Sequence, residues 1–483
     1  MDVQRPSTGA EFSADSLETM AVEPLITRDY DARPSLVYER LRGRYGPVAP
    51  VDLLGVPVWL ALGYPEVLEV LRNQSGIWSK RLADWHALAD GRVPREWPLL
   101  PALEVNHVIF QEGDRLRSLR AAYHQALQPF QDPGHPQGRR LLDAVTRSAD
   151  ELIDVMTEGG GRVGWADLSA QYARPLPLMV VDHLLGFQSG RGDEVLMDMW
   201  RVLDAGPDSA AALERLLAAL GELGAAKMAS PGDDFPSYLL AAHPGLTVDE
   251  LSRELMMLVG VTGDHTGTLI GNTIAAVVGA GSGTRDGLSM GVIRETVNRV
   301  AMVNPPMANL TFRCPTVDTR LGDFIIAAGE PVFLSVAAAH QDPLFTGAVH
   351  ADAPSGSRAH LAWGAGPHEC LGRELATTIA AVAISRLFAR FSGLGLTLPA
   401  DQLPWRSSPL MRGLRSLPVR YELAENQAPA APPAPGQPGP AGQAAASPPG
   451  GPDGGSDGGP DGGAEAARPL LWRFLRNLRR GAR

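Results

Sequence analysis

The run His360–Ala376, HLAWGAGPHECLGRELA, holds Cys370, one of only two cysteines among 483 residues. Gly364 and Gly366 permit a tight turn with positive φ and a close approach of the backbone to a flat ligand. A cysteine at the end of such a loop can have its thiolate held by backbone N–H groups. Gly372 precedes a run with helical character (Arg373, Glu374, Leu375, Ala376, then Ile379 and Ala380). A helix N-terminus lowers a thiol pKa and steadies the thiolate. His368, two residues before the cysteine, is placed to reach an anionic side group of a cofactor.

A second candidate is Gly260-Val-Thr262-Gly263-Asp264-His265-Thr266. Read from its residues alone, it fits a helix kink, with Thr266 bonded back to a carbonyl. Asp264 and His265 both exchange protons, and histidine does so with a reference pKa of about 6.5.

Several elements must position these residues. Helical periodicity runs from Thr247 to Ala280, and Thr247 with Glu250 predicts a capping box at its start. Leu36–Leu41 and Pro65–Leu71 read as helix starts, and Pro57–Leu62 (PVWLAL) as a strand. Strand-and-turn character covers residues 315–340: Leu321–Ile326, a turn at Gly329, then Pro331–Val336. Residues 1–24 read as a flexible leader, and 25–424 as one mainly α domain with small β-sheets. Residues 425–467 read as a Pro/Gly/Ala linker, whose composition cannot bury enough apolar area to offset its ordering entropy. Residues 468–483 read as a basic amphipathic helix, with Leu471, Phe474, Leu475 and Leu478 on one side and arginines on the other.

The cysteine run resembles the haem-binding loop of the cytochrome P450 family, Phe-x-x-Gly-x-His/Arg-x-Cys-x-Gly. The matching positions are Trp363 (in place of Phe), Gly366, His368, Cys370 and Gly372. The resemblance covers about residues 25–423. It implies a P450-like fold, haem b as cofactor, and Cys370 as the thiolate ligand to its iron. It also implies that Gly263 makes room for dioxygen and that Thr266 relays protons, together with His265 or Asp264. Aligned on Gly263 and Thr266, the family's acid position holds His265, and Asp264 stands one residue earlier, about 100° around the helix. Arg117 or Arg115, and Arg313, resemble the arginines that bind the haem propionates.

One departure concerns the buried ionic cluster that most members build from Glu-x-x-Arg and a later arginine. Aligned on Pro305-Pro306, this chain has Arg299-Val-Ala-Met302, and Gly347–Ser357 lacks the later arginine. Glu295 and Arg299, spaced i, i+4, are expected to pair instead. Some actinobacterial members lack the cluster, some of them beside small-GTPase signalling operons, and Trp85–Leu100 is similar to that subgroup.

The expected function is therefore a haem-thiolate monooxygenase acting on an apolar small molecule, with electrons from a ferredoxin and ferredoxin reductase. The alternative is a haem-binding regulatory or interaction subunit with little turnover. The net charge of −11, with six arginines concentrated in 468–483, argues against nucleic acid as a partner. That terminal segment suits an acidic protein or an anionic membrane surface. Without a secretory signal or a long apolar run, the expected location is cytoplasmic, with peripheral membrane contact through 468–483.

Overall fold

Asp52-Leu53-Leu54-Gly55 turns the chain back on itself. Leu54 and Gly55 both take positive φ, 58° and 90°, and the Gly55 N–H donates to Asp52 Oδ1 at 3.0 Å. A two-residue turn of that hand matches the twist of the strands it joins, here Val48–Leu53 and Val56–Ala61. The computed structural model describes residues 14–187, 192–204, 208–280, 289–348 and 357–424. The expected linker and arginine-rich segment, 425–483, and most of 347–357 lie outside the described residues.

The strands used below are β1 (Glu23–Pro24), β2 (Val48–Leu53), β3 (Val56–Ala61), β4 (Trp78–Ser79), β5 (Asn309–Pro315) and β6 (Val332–Ser335). They form one mixed sheet in the order β1-β2-β3-β6-β5-β4. β3 pairs with β6 in parallel, Trp59 opposite Val332, and β4 pairs antiparallel with β5, Ser79 opposite Cys314. The pairing of β4 with β5 sets Lys80 beside Arg313, although they are far apart in the chain.

The helices are α1 (Tyr64–Arg72), α2 (Gly113–Gln131), α3 (Pro136–Thr157), α4 (Val248–Gly260), α5 (Thr266–Gly279), α6 (Met290–Val303) and α7 (Arg373–Arg390). Leu119 of α2, Leu152 of α3, Leu255 of α4, Ile274 of α5, Val297 of α6 and Ile379 of α7 belong to one buried apolar cluster. Burial of this kind, not local propensity, holds most helices in place. Among the described residues, no helix is long and apolar enough to cross a membrane.

The expected helix over 247–280 is present, with its capping box: the Glu250 N–H donates to Thr247 Oγ1 at 3.2 Å, and the Thr247 N–H to Glu250 Oε2 at 2.9 Å. Its middle differs from a plain α-helix, because Val261–His265 forms a π-turn between α4 and α5. Two other expectations are corrected. Leu321–Ile326 is not one strand but the two arms of a hairpin, Thr319–Leu321 and Phe324–Ile326, turning at Gly322 with φ 59°. The part of the expected leader from residue 14 onward is docked. Leu17 is buried, and its N–H donates to Glu330 Oε1 at 2.9 Å, while Trp59 Nε1 donates to Glu330 Oε2 at 2.7 Å. One half-buried carboxylate thus ties that segment to the sheet.

Candidate active site

The cysteine loop leaves His360 and re-enters helix at Arg373. Gly364 and Gly366 take φ of 73° and 67°, which disfavours side chains at both places. At Gly366 the space is also closed: a Cβ would sit 2.5 Å from the Leu71 carbonyl oxygen. The loop is therefore pressed against the end of α1. The Cys370 N–H donates to the Trp363 carbonyl at 2.8 Å, which closes the loop; Trp363 itself is half-buried. Gly372 is the N-cap of α7.

Cys370 is exposed, although protein packs around its loop. Burial is the largest influence and raises the thiol pKa. The Gly372 N–H and the Arg120 and Arg373 guanidiniums act in the opposite direction, as expected for a site built to hold a thiolate. Gln131 Nε2 donates to the Leu371 carbonyl at 2.9 Å, and Arg120 Nη2 donates to the Glu369 carbonyl at 2.8 Å.

Basic side chains gather at the same loop. Burial first, then Lys80, Arg313 and Arg120, push His368 down to about 2. Burial and Arg313 push Lys80 well below its ordinary range, with Glu112 opposing. Arg313, on β5, is pushed to about 10 by burial, again opposed by Glu112. Burial, and then Lys80, take His107 to about 4. Lys80 and Arg313 are both 4% exposed, too buried for water to screen them. Glu112 is partly committed elsewhere: its Oε1 accepts the Lys80 backbone N–H at 2.5 Å and its Oε2 accepts Ser79 Oγ at 3.2 Å. Buried cations that repel one another are costly unless an anion joins them. A flat, largely apolar ligand carrying two carboxylates, as haem b does, fits this donor set beside a thiol.

Arg313 and His368 lie in one group with Lys80 and Arg120. Arg117 lies outside it. Its side chain is 73% exposed and pairs with Asp114, while Arg115 pairs with Glu250. The arginine of α2 that reaches the loop is Arg120. Its signal was present: Arg120 and Gln131, which both bond to the cysteine loop, are eleven residues apart and so lie within about 20° on one helix face. Lys80 carried no such local signal.

On the long helix, Thr262, Gly263 and Thr266 are buried. Burial lowers the His265 pKa, with Asp264 opposing and Arg406 adding to the fall, so the ring is neutral at neutral pH. Asp264 is held at 3.0 Å by Arg406, which also donates to Thr268 Oγ1 at 3.1 Å. The acid is therefore committed to an ion pair with the segment that precedes the strand Pro418–Leu423.

Glu295 does not pair with Arg299. Its partner is Arg358, at 3.0 Å, which lies just beyond the stretch read as lacking an arginine. Beside this pair, His360 hydrogen-bonds to Asn298 and its ring meets that of His340, an arrangement that spacing did not reveal. Burial drives His340 to about 3 and His360 to about 4.

Comparison with known proteins adds the following. No family model matches the chain. Cytochrome P450 107B1 of Saccharopolyspora erythraea is 34% identical over 295 residues, covering 58% of this chain and 70% of that protein. A 2-hydroxy-5-methyl-1-naphthoate 7-hydroxylase of Streptomyces carzinostaticus is 29% identical over 402 residues, covering 79% of this chain and 93% of that one. Among solved structures, CYP154C4 from a Streptomyces species superposes with a TM-score of 0.71 at 26% identity, covering 83% of this chain and 98% of that one.

Proposed function

The chain belongs to the cytochrome P450 family, and we propose that it oxidises an apolar small molecule with electrons from a separate ferredoxin and its reductase. It is a monooxygenase with haem b as cofactor. The observation that carries the proposal is the grouping of Lys80, Arg313 and Arg120 around His368, two residues from Cys370, which Arg120 also faces. Bound there, haem b would supply the oxidising chemistry with dioxygen. Cys370 Sγ would hold its iron. Arg313, His368, Lys80 and Arg120 would bind and orient the propionates by charge-assisted hydrogen bonds.

Thr266 is the residue that hands on protons at its Oγ. Neutral His265 can both accept and donate one, which suits it to feed that hydroxyl. Asp264 first has to leave Arg406, so its part is slower. Relatives named as hydroxylases support the oxidation of a small organic molecule.

The test is the absorption spectrum of the dithionite-reduced protein with and without carbon monoxide. It is followed by product formation with a ferredoxin and ferredoxin reductase. A strongly red-shifted Soret band and substrate-dependent product are expected. A band at the position given by histidine or protonated-thiol ligation would overturn the haem–thiolate reading. A thiolate band with no product from any apolar candidate would favour a binding subunit.

Residues 468–483 are proposed to attach the protein reversibly to anionic lipid. Six arginines near such a surface contribute roughly 1 kcal/mol each, enough for peripheral contact and not for insertion. Truncation after Ala467 is expected to release the protein from sedimented anionic vesicles. Unchanged sedimentation would exclude this role.

A further inference from the structure

Leu361 opens the cysteine loop, and its N–H donates to His340 Nε2 at 2.7 Å. A ring nitrogen that accepts carries no proton, so the proton of His340 is on Nδ1. Nδ1 lies 2.7 Å from the Met302 carbonyl at the end of α6, and donates to it. One ring therefore joins the loop to α6 through both of its nitrogens.

His360 repeats the device. The Ala362 N–H lies 3.3 Å from His360 Nδ1, so the proton is on Nε2, which donates to Asn298 Oδ1 at 3.0 Å. Asn298 is on α6, one turn from Met302. Arg358 closes the group through Glu295 at 3.0 Å and Asn298 at 3.4 Å. The two imidazoles meet edge to face, with ring centroids 5.8 Å apart. Only one tautomer of each ring satisfies all of its partners, so the arrangement is determined by the hydrogen bonds themselves. Both histidines are largely buried, at 7% and 5% exposure, where an unmade bond is expensive.

We propose that His340 and His360 are positioning residues that hold the cysteine loop in register on α6, doing by paired hydrogen bonds what a salt-bridged cluster would otherwise do. A histidine that merely filled the core would not need both nitrogens bonded to two different elements. The contacts fall on Leu361 and Ala362, just ahead of the Trp363 carbonyl that accepts the Cys370 N–H. A shift at the start of the loop is therefore passed to the sulfur through one closed turn.

The inference rests on Cys370 being the haem ligand. It is tested on the full-length haem-loaded protein with His340→Phe and His340→Gln. Phenylalanine keeps the stacking on Phe345, with centroids 5.4 Å apart, and removes both hydrogen bonds. Glutamine keeps one donor and one acceptor. Two readouts are followed: amide exchange at Leu361, and the share of the carbon monoxide complex absorbing at the red-shifted, thiolate position. In His340→Phe, Leu361 exchange is expected to rise about tenfold or more, and the thiolate share to fall below about half. Glutamine should restore most of both. If His340→Phe does not accumulate folded, His360→Phe gives the same readouts at Ala362. Unchanged exchange and an unchanged band in the phenylalanine variants would overturn the inference. A wild-type protein without the red-shifted band would instead overturn the haem–thiolate assignment, so the two failures are distinguishable.

Discussion

Cys370→Ser is expected to abolish the red-shifted carbon monoxide band and to lower turnover by about a thousandfold or more. The size of the effect follows from the ligand. A serine hydroxyl does not ionise in a protein interior, and as a neutral ligand it donates little electron density to iron. The surroundings of Cys370 are arranged for an anion: the Gly372 N–H, Arg120 and Arg373 all favour the ionised sulfur against the opposing effect of burial. None of these aids a hydroxyl to the same extent. The control is Cys314→Ser. Cys314 lies wholly buried on β5, where burial pushes its thiol up and keeps it protonated. That variant should keep the band. Loss of the band in Cys314→Ser, or its survival in Cys370→Ser, would refute the ligand assignment.

Lys80→Met is expected to act with opposite signs on the two states of the protein. With haem bound, it removes one charged donor to a propionate, and haem transfer to an acceptor protein should quicken about ten- to hundredfold. Without haem, it removes a buried cation that faces Arg313, and the melting temperature should rise by a few degrees. The pH dependence follows from linkage. Lys80 in the folded protein binds its proton more weakly than in the unfolded chain, where the pKa is the ordinary 10.5. As pH falls from that value, the unfolded chain takes up the proton first, and the haem-free protein loses stability. The loss grows until the folded-state pKa is reached and is constant below it. The stability gap between variant and wild type should therefore be wide at neutral pH and close as pH approaches 10.5. A variant that destabilises both states equally would show that Lys80 is only packed, with no anion to meet.

The parts of the site that the sequence reveals are those encoded in short runs. Cys370, His368, Gly366 and Gly372 lie within seven residues, and the loop's chemistry needs that spacing, so it can be read directly. The long helix is equally legible, because a capping box and sustained periodicity are local signals. The π-turn inside it is not, since α-helical and π-helical sequences differ too little. Lys80, Arg120 and His340 are assembled by topology. Lys80 reaches the site because β4 pairs with β5, which depends on strand order and not on any run of residues. His340 qualifies only through bonds to Leu361 and Met302, and both of those are backbone groups without a sequence signature. Arg117 stands apart from Arg120 for a related reason. Spacing along α2 restricts which arginines share a face, but the phase of the helix against the loop is set by what it packs on.

The hydrogen-bonded group beneath the cysteine loop also has a consequence for the setting in which the protein works. Its two histidines are held uncharged by burial, at about 3 and about 4, so most of the bonds that anchor Leu361 and Ala362 join neutral groups. Dissolved ions weaken attractions between exposed charges over about 8–10 Å at ordinary ionic strength, but have little to act on between buried neutral partners. The outer Glu295–Arg358 pair, with Arg358 67% exposed, is the part that salt can loosen. The inner fastening should then remain tight as the surrounding salt rises and water is withdrawn.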